Sequence, residues 1–131
     1  MLVMKTFFIF ILLLSSLSFA NTKNYQCPVS EKYDASGNIY TQDMMKKYKY
    51  SVNVIDTGDS AILQRCSFSS SAGGVTCDSY VTDYVHRDPN IDSVKYYYFA
   101  GSFDIQIIAG SLFIENNGRG GIAFGNCEDK N

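Results

Sequence analysis

The stretch Tyr48-Lys49-Tyr50-Ser51-Val52-Asn53-Val54 decides how the chain is read, because large apolar or aromatic side chains alternate along it with polar ones. A period of two puts Tyr48, Tyr50, Val52 and Val54 on one face and Lys49, Ser51 and Asn53 on the other, the pattern of a half-buried strand. Upstream the signals are helical. Thr41 can cap, Asp43 falls in the first turn, and Lys46 and Lys47 fall in the last, so each charge complements the helix dipole over residues 41–48. Two turns are marginal alone, and this helix has to pack through Met44, Met45 and Tyr48. Before it, residues 25–33 read as a short strand running into a turn at Ser36-Gly37.

Downstream, Gly58-Asp59 turns the chain into a strand over 61–68, and Gly73-Gly74 precedes another over 75–85. Asp88-Pro89-Asn90 makes a turn, because proline fixes its own φ and the Asp and Asn side chains bond to nearby amides. Strands follow at 94–99 and 103–108, with Asp104 and Gln106 facing away from Phe103, Ile105 and Ile107. Segments 112–115 and 122–126 flank Asn116-Asn117-Gly118-Arg119-Gly120, a hairpin loop. The body of the domain is therefore antiparallel sheet, and strand propensity with core burial accounts for its tyrosines and phenylalanines.

Lys5, the apolar run 7–14 and the small residues Ser18 and Ala20 form a secretory leader over residues 1–20, too short to span a membrane. The expected mature unit, residues 21–131, is one domain without a membrane segment. Loss of Lys5 turns the formal charge from −2 to −3, which argues against a general nucleic-acid coat. Lys46, Lys47 and Lys49 are a local exception that a solvated face explains. No Asn-x-Ser/Thr acceptor is present.

An oxidising compartment pairs the four cysteines, Cys27, Cys66, Cys77 and Cys127. Three pairings are open. The turn-forming segment around 69–74 favours Cys66 with Cys77 as a local clasp, leaving Cys27 to close on Cys127. Zinc fits poorly, since the inner cysteines lack C-x-x-C spacing and His86 is the single histidine. No metal or cofactor is expected.

His86-Arg87-Asp88 spells the start of a kinase catalytic loop without the motifs that would have to accompany it. No G-x-S-x-G elbow is present either. Tyr96-Tyr97-Tyr98-Phe99 places Tyr96 and Tyr98 on one face and Tyr97 and Phe99 on the other. Both pairs are core if the sheet is covered on both sides; if not, one pair is free to stack on bases, sugars or a protein.

Tyr25-Gln26-Cys27 directly after the leader, the short helix, the strand-rich body and the late cysteine resemble the Y-x-C secreted effectors of cereal powdery mildew fungi. Those are similar in fold to small microbial guanyl-specific ribonucleases. Tyr96-Tyr97-Tyr98-Phe99 looks like the ribonuclease Tyr-Tyr-Glu-Trp strand, and Phe113-Ile114-Glu115-Asn116-Asn117 through Gly121-Ile122 looks like its penultimate hairpin. That chemistry needs a carboxylate base, a histidine acid and an arginine on the phosphate. On the resemblance those positions fall at Tyr98, near Gly125 and near Gly110, so the catalytic set is missing.

What the resemblance implies is an α+β fold, one short helix packed on a curved antiparallel sheet in ribonuclease-like fashion and stapled by two disulfides. The function implied is that of a secreted, monomeric, non-catalytic effector that binds a host protein or RNA, with Tyr96, Tyr98, Glu115, Asn117 and Arg119 as its binding face. The acidic balance favours protein, and delivery into host cells belongs to the same expectation. One alternative is an active secreted ribonuclease using Glu115 and His86. Another is an all-β sandwich acting as a lectin-like or inhibitor module.

Overall fold

Alternation along residues 51–56 is kept in the computed structural model, which describes residues 22–131: Val52, Val54 and Asp56 are buried and their neighbours half-exposed. The leader reading over residues 1–20 lies outside the described residues. The strand itself, β3 (Ser51–Asp56), starts three residues later than the alternation does. Tyr48 closes the helix α1 (Gln42–Tyr48), and Lys49 caps it in the left-handed region. Thr41 is the N-cap, its hydroxyl accepting from the Met44 amide at 3.3 Å.

The remaining elements are β1 (Lys23–Asp34), β2 (Ile39–Tyr40), β4 (Ala61–Ser69), β5 (Gly74–Val81), β6 (Tyr84–Asp88) and β7 (Ser93–Tyr98). A short 3-10 turn (Phe99–Gly101) leads into β8 (Phe103–Ile108), β9 (Leu112–Asn116), β10 (Gly121–Asn126) and β11 (Glu128–Asp129). All join one antiparallel 11-stranded sheet in the order β5-β4-β3-β1-β10-β9-β8-β7-β6, with β2 and β11 also pairing β1. The single strand expected over 75–85 is two, because the chain crosses at Thr82-Asp83 from one half of the sheet to the other.

β1 is the shared strand. Its first half pairs β3, with Cys27 opposite Val52, and its second half pairs β10, with Lys32 opposite Ala123. Between them the register slips from Val29 to Glu31, a bulge that adds one residue and bends the strand. The sheet curls about this strand into a half-barrel, so Tyr25, Val52, Val54 and Leu63 of one half pack against Tyr96, Phe103, Ile105, Ile107 and Phe113 of the other. Tyr80 on β5 meets Tyr98 at 4.9 Å and Phe103 at 5.6 Å across the mouth of the curl.

This corrects the expected α+β class. Among the described residues the fold is mostly β, with 61% in strands and 9% in helix or 3-10 turn. The helix forms where it was expected, but it buries only Met45. Seven residues cannot cover a sheet of this width, so the core is made by the sheet closing on itself. The sandwich alternative is nearer, although one continuous sheet replaces two separate ones.

Both disulfides are nested. Cys27 joins Cys127, 100 residues on, and Cys66 joins Cys77, its direct cross-strand partner 11 residues on. Two such bonds are compatible with an extracellular protein.

Candidate cationic cleft

The bulge in β1 decides what faces the inside of the curl. Strict alternation from Tyr25 and Cys27 would turn Glu31 inward. The extra residue reverses the parity, so Glu31 lies exposed opposite Phe124 and Lys32 lies inward opposite buried Ala123. Arg65 reaches the same space from β4, where it follows inward-facing Ala61 and Leu63. From β9 comes Glu115, 4% exposed.

Arg65 donates from Nε to Glu115 Oε2 at 3.4 Å and from Nη2 to Oε1 at 3.3 Å, and its guanidinium lies 5.1 Å from the Phe103 ring centroid. Lys32 holds its ammonium 4.1 Å from the Tyr50 ring centroid and 5.1 Å from that of Tyr40. It makes no ion pair among the described residues. Burial lowers its pKa; Glu115 offsets part of this, and Arg65 and Arg119 push it further down. Asp78, exposed on β5 opposite Arg65, is the second carboxylate lining this cleft of about 170 Å³.

An adjoining cleft of about 190 Å³ shares Arg65 and is lined by Tyr80, Tyr98, Phe103, Asn117 and Arg119. Its loop is held by Asn117, whose Oδ1 accepts from the amides of Arg119 at 2.7 Å and Gly121 at 2.8 Å. Gly118 touches the turn after β7: with φ of +74°, any Cβ there would run into the carbonyl oxygens of Gly101 and Ser102. The tip of the hairpin is thereby pressed onto the end of the tyrosine strand.

Of the five residues expected to bind, four line the joined clefts: Tyr98, Glu115, Asn117 and Arg119. Tyr96 does not. It is 0% exposed and donates to Asp56 Oδ2 at 2.7 Å, a core role that corrects its place in a binding face. Arg65 and Lys32 were missed, because Arg65 is 50 residues from Glu115 and the bulge hides Lys32's side of the strand. Glu115 and His86 are not brought together: they lie on strands three apart, Glu115 buried inside the curl and His86 exposed on its outer face. The Glu115–His86 pairing named in the ribonuclease alternative is thus not formed. No three His, Cys, Asp or Glu side chains converge as metal ligands among the described residues.

No protein-family model, curated protein or solved structure matches the chain. The site is therefore read from its own geometry.

Proposed function

We propose that this chain is a secreted, disulfide-clasped binding domain that holds an acidic group of a partner protein in the Lys32–Arg65–Arg119 cleft and performs no chemistry on it. The observation that carries this is Lys32, a half-buried ammonium that forms no ion pair among the described residues and stands beside the Arg65–Glu115 pair. A buried cation without a counter-charge is costly, and a ligand anion supplies the counter-charge. Both Glu115 oxygens accept from Arg65, so that carboxylate is engaged within the cleft. A single anionic group suits the cleft better than a polyphosphate backbone, since Glu115 and Asp78 leave little excess positive charge for an extended polyanion. The further reading as an effector acting on a host protein rests on the leader and on Tyr25-Gln26-Cys27.

The test uses residues 21–131 with both disulfides formed, isotope-labelled and titrated with a Glu-rich hexapeptide and, separately, with a single-stranded RNA hexamer. The peptide is expected to shift the Lys32, Arg65 and Arg119 resonances, and Lys32→Met or Arg119→Ala is expected to weaken it about tenfold, the value of one close charge pair. Tighter binding of RNA, or cleavage of RNA that Glu115→Gln abolishes, would replace this reading.

A further inference from the structure

The outer face of the sheet carries a second feature, remote from the cleft. Tyr84 and Tyr97 are directly opposite each other on β6 and β7, with ring centroids 5.9 Å apart. Phe99 continues the row 6.2 Å beyond Tyr97, and His86 continues it 6.3 Å beyond Tyr84. Tyr84 on the edge strand is 52% and Phe99 63% exposed, with Tyr97 half-buried between them, so the row is open to solvent at its two ends and partly covered at its middle. Alternation along the tyrosine strand thus sends Tyr96 and Tyr98 into the curl and Tyr97 and Phe99 out.

The row is built rather than incidental. Asp83 Oδ2 accepts from the Phe99 amide at 2.7 Å and pins the turn that presents the ring, and Tyr84 and Tyr97 stand on paired strands. Preorganised rings lose little freedom when a ligand stacks on them. Successive ring planes are tilted by 31° to 41° to one another. A row of mutually tilted rings suits a narrow single chain better than a flat surface.

Charge narrows the ligand. Lys95 lies 5.2 Å from the Tyr97 centroid, but its ammonium is paired with Asp104 at 3.7 Å, and Asp83 faces the turn amide. With its one lysine neutralised in this way, the strip offers a polyanion no field to follow. Polar tips nonetheless border the ring faces: two phenol hydroxyls, the His86 imidazole and the Asp104 carboxylate. Electron-rich ring faces flanked by hydrogen-bonding groups match a ligand with C–H faces and hydroxyl rims. The ring spacing is comparable with one pyranose residue of an extended chain.

We propose that the Tyr84–Tyr97–Phe99 strip binds a neutral polysaccharide, one sugar ring stacked on each aromatic ring. The proposal is independent of the cationic cleft. It is tested by titrating residues 21–131, disulfides intact, with the hexasaccharides of β-1,4-glucose, β-1,3-glucose, β-1,4-N-acetylglucosamine and β-1,4-mannose, followed by the aromatic proton resonances. At least one is expected to bind, moving Tyr84, Tyr97 and Phe99 signals, with about a tenfold loss in Tyr84→Ala and in Phe99→Ala, the value of one stacked pair. Lys32→Met is expected to bind it unchanged, which separates this site from the cleft. Both strip substitutions are at exposed positions, and an unchanged circular dichroism spectrum verifies the fold. Failure of all four sugars, binding indifferent to Tyr84→Ala, preference for a sulfated polysaccharide that fades with salt, or dimerisation abolished by Phe99→Ala would each overturn the proposal.

Discussion

Asp56 shows how a single carboxylate can hold the two halves of a curled sheet. It ends β3, 4% exposed, and accepts from Tyr96 at 2.7 Å, from Arg87 at 2.9 and 2.7 Å, and from the Gly58 amide at 2.8 Å. Burial alone would raise its pKa, but the bonds from Arg87, Tyr96 and Gly58 outweigh it and hold the carboxyl below the ordinary value. Burial likewise raises the Tyr96 phenol, helped by the bond to Asp56. A depressed folded value means that Asp56 contributes stability above the unfolded carboxylate pKa of about 3.9, and that this is lost as the pH falls through the folded value. Tyr96→Phe is expected to cost about 1.5–3 kcal/mol at pH 7, the range for a hydrogen bond to a charged group. Urea unfolding from pH 7 down to pH 2 should show the deficit narrowing below about pH 3.9. A deficit equal at every pH would remove Asp56 as its cause.

Among the elements, what depends on neighbouring residues was legible and what depends on long-range pairing was not. The helix was readable from Thr41 and the flanking charges, and β3, β4, β8 and β10 from alternation and turn residues. The bulge at residues 29–31 left no mark in composition, and reading residues 25–33 as a short strand assigned no face to Lys32. Glu115, Asn117 and Arg119 were found through one hairpin and its loop, whereas Arg65 joins them only because β4 curls across the mouth of the sheet. That loop carries its own prediction. Gly118 sits at φ of +74° against the backbone of Gly101 and Ser102. Gly118→Ala should cost about 1–3 kcal/mol from the left-handed conformation alone. It should also lift Asn117 and Arg119 away from Tyr98. Thermal melting, with the nuclear Overhauser contacts between residues 101–102 and 118, checks both. A variant with wild-type stability and unchanged contacts would mean that the loop is not seated as described.

At the scale of the whole molecule the two disulfides differ in loop length and in access. Cys27–Cys127 closes 100 residues and lies buried where β1 meets the chain after β10, tying the ends of the described domain. Cys66–Cys77 closes 11 residues in one hairpin, and Cys77 is exposed. In the loop-entropy picture the outer bond contributes about 4.7 kcal/mol and the inner about 3, so losing the outer one costs more. Access works in the same direction, because a thiolate must reach a sulfur atom for exchange to occur. Mild reduction under native conditions should therefore open Cys66–Cys77 first and leave a folded chain, whereas Cys27–Cys127 should open only with global unfolding. Timed alkylation with mass spectrometry, followed by circular dichroism of each species, distinguishes the two steps. Since the hairpin β4–β5 supplies Arg65 and Tyr80, the singly reduced form should also bind less tightly at the cleft if the clasp holds that hairpin in place. If the outer bond opens first with the fold intact, the ends are not what closes the curl, and the β5 edge, with Tyr80 against Tyr98 and Phe103, would have to hold it alone.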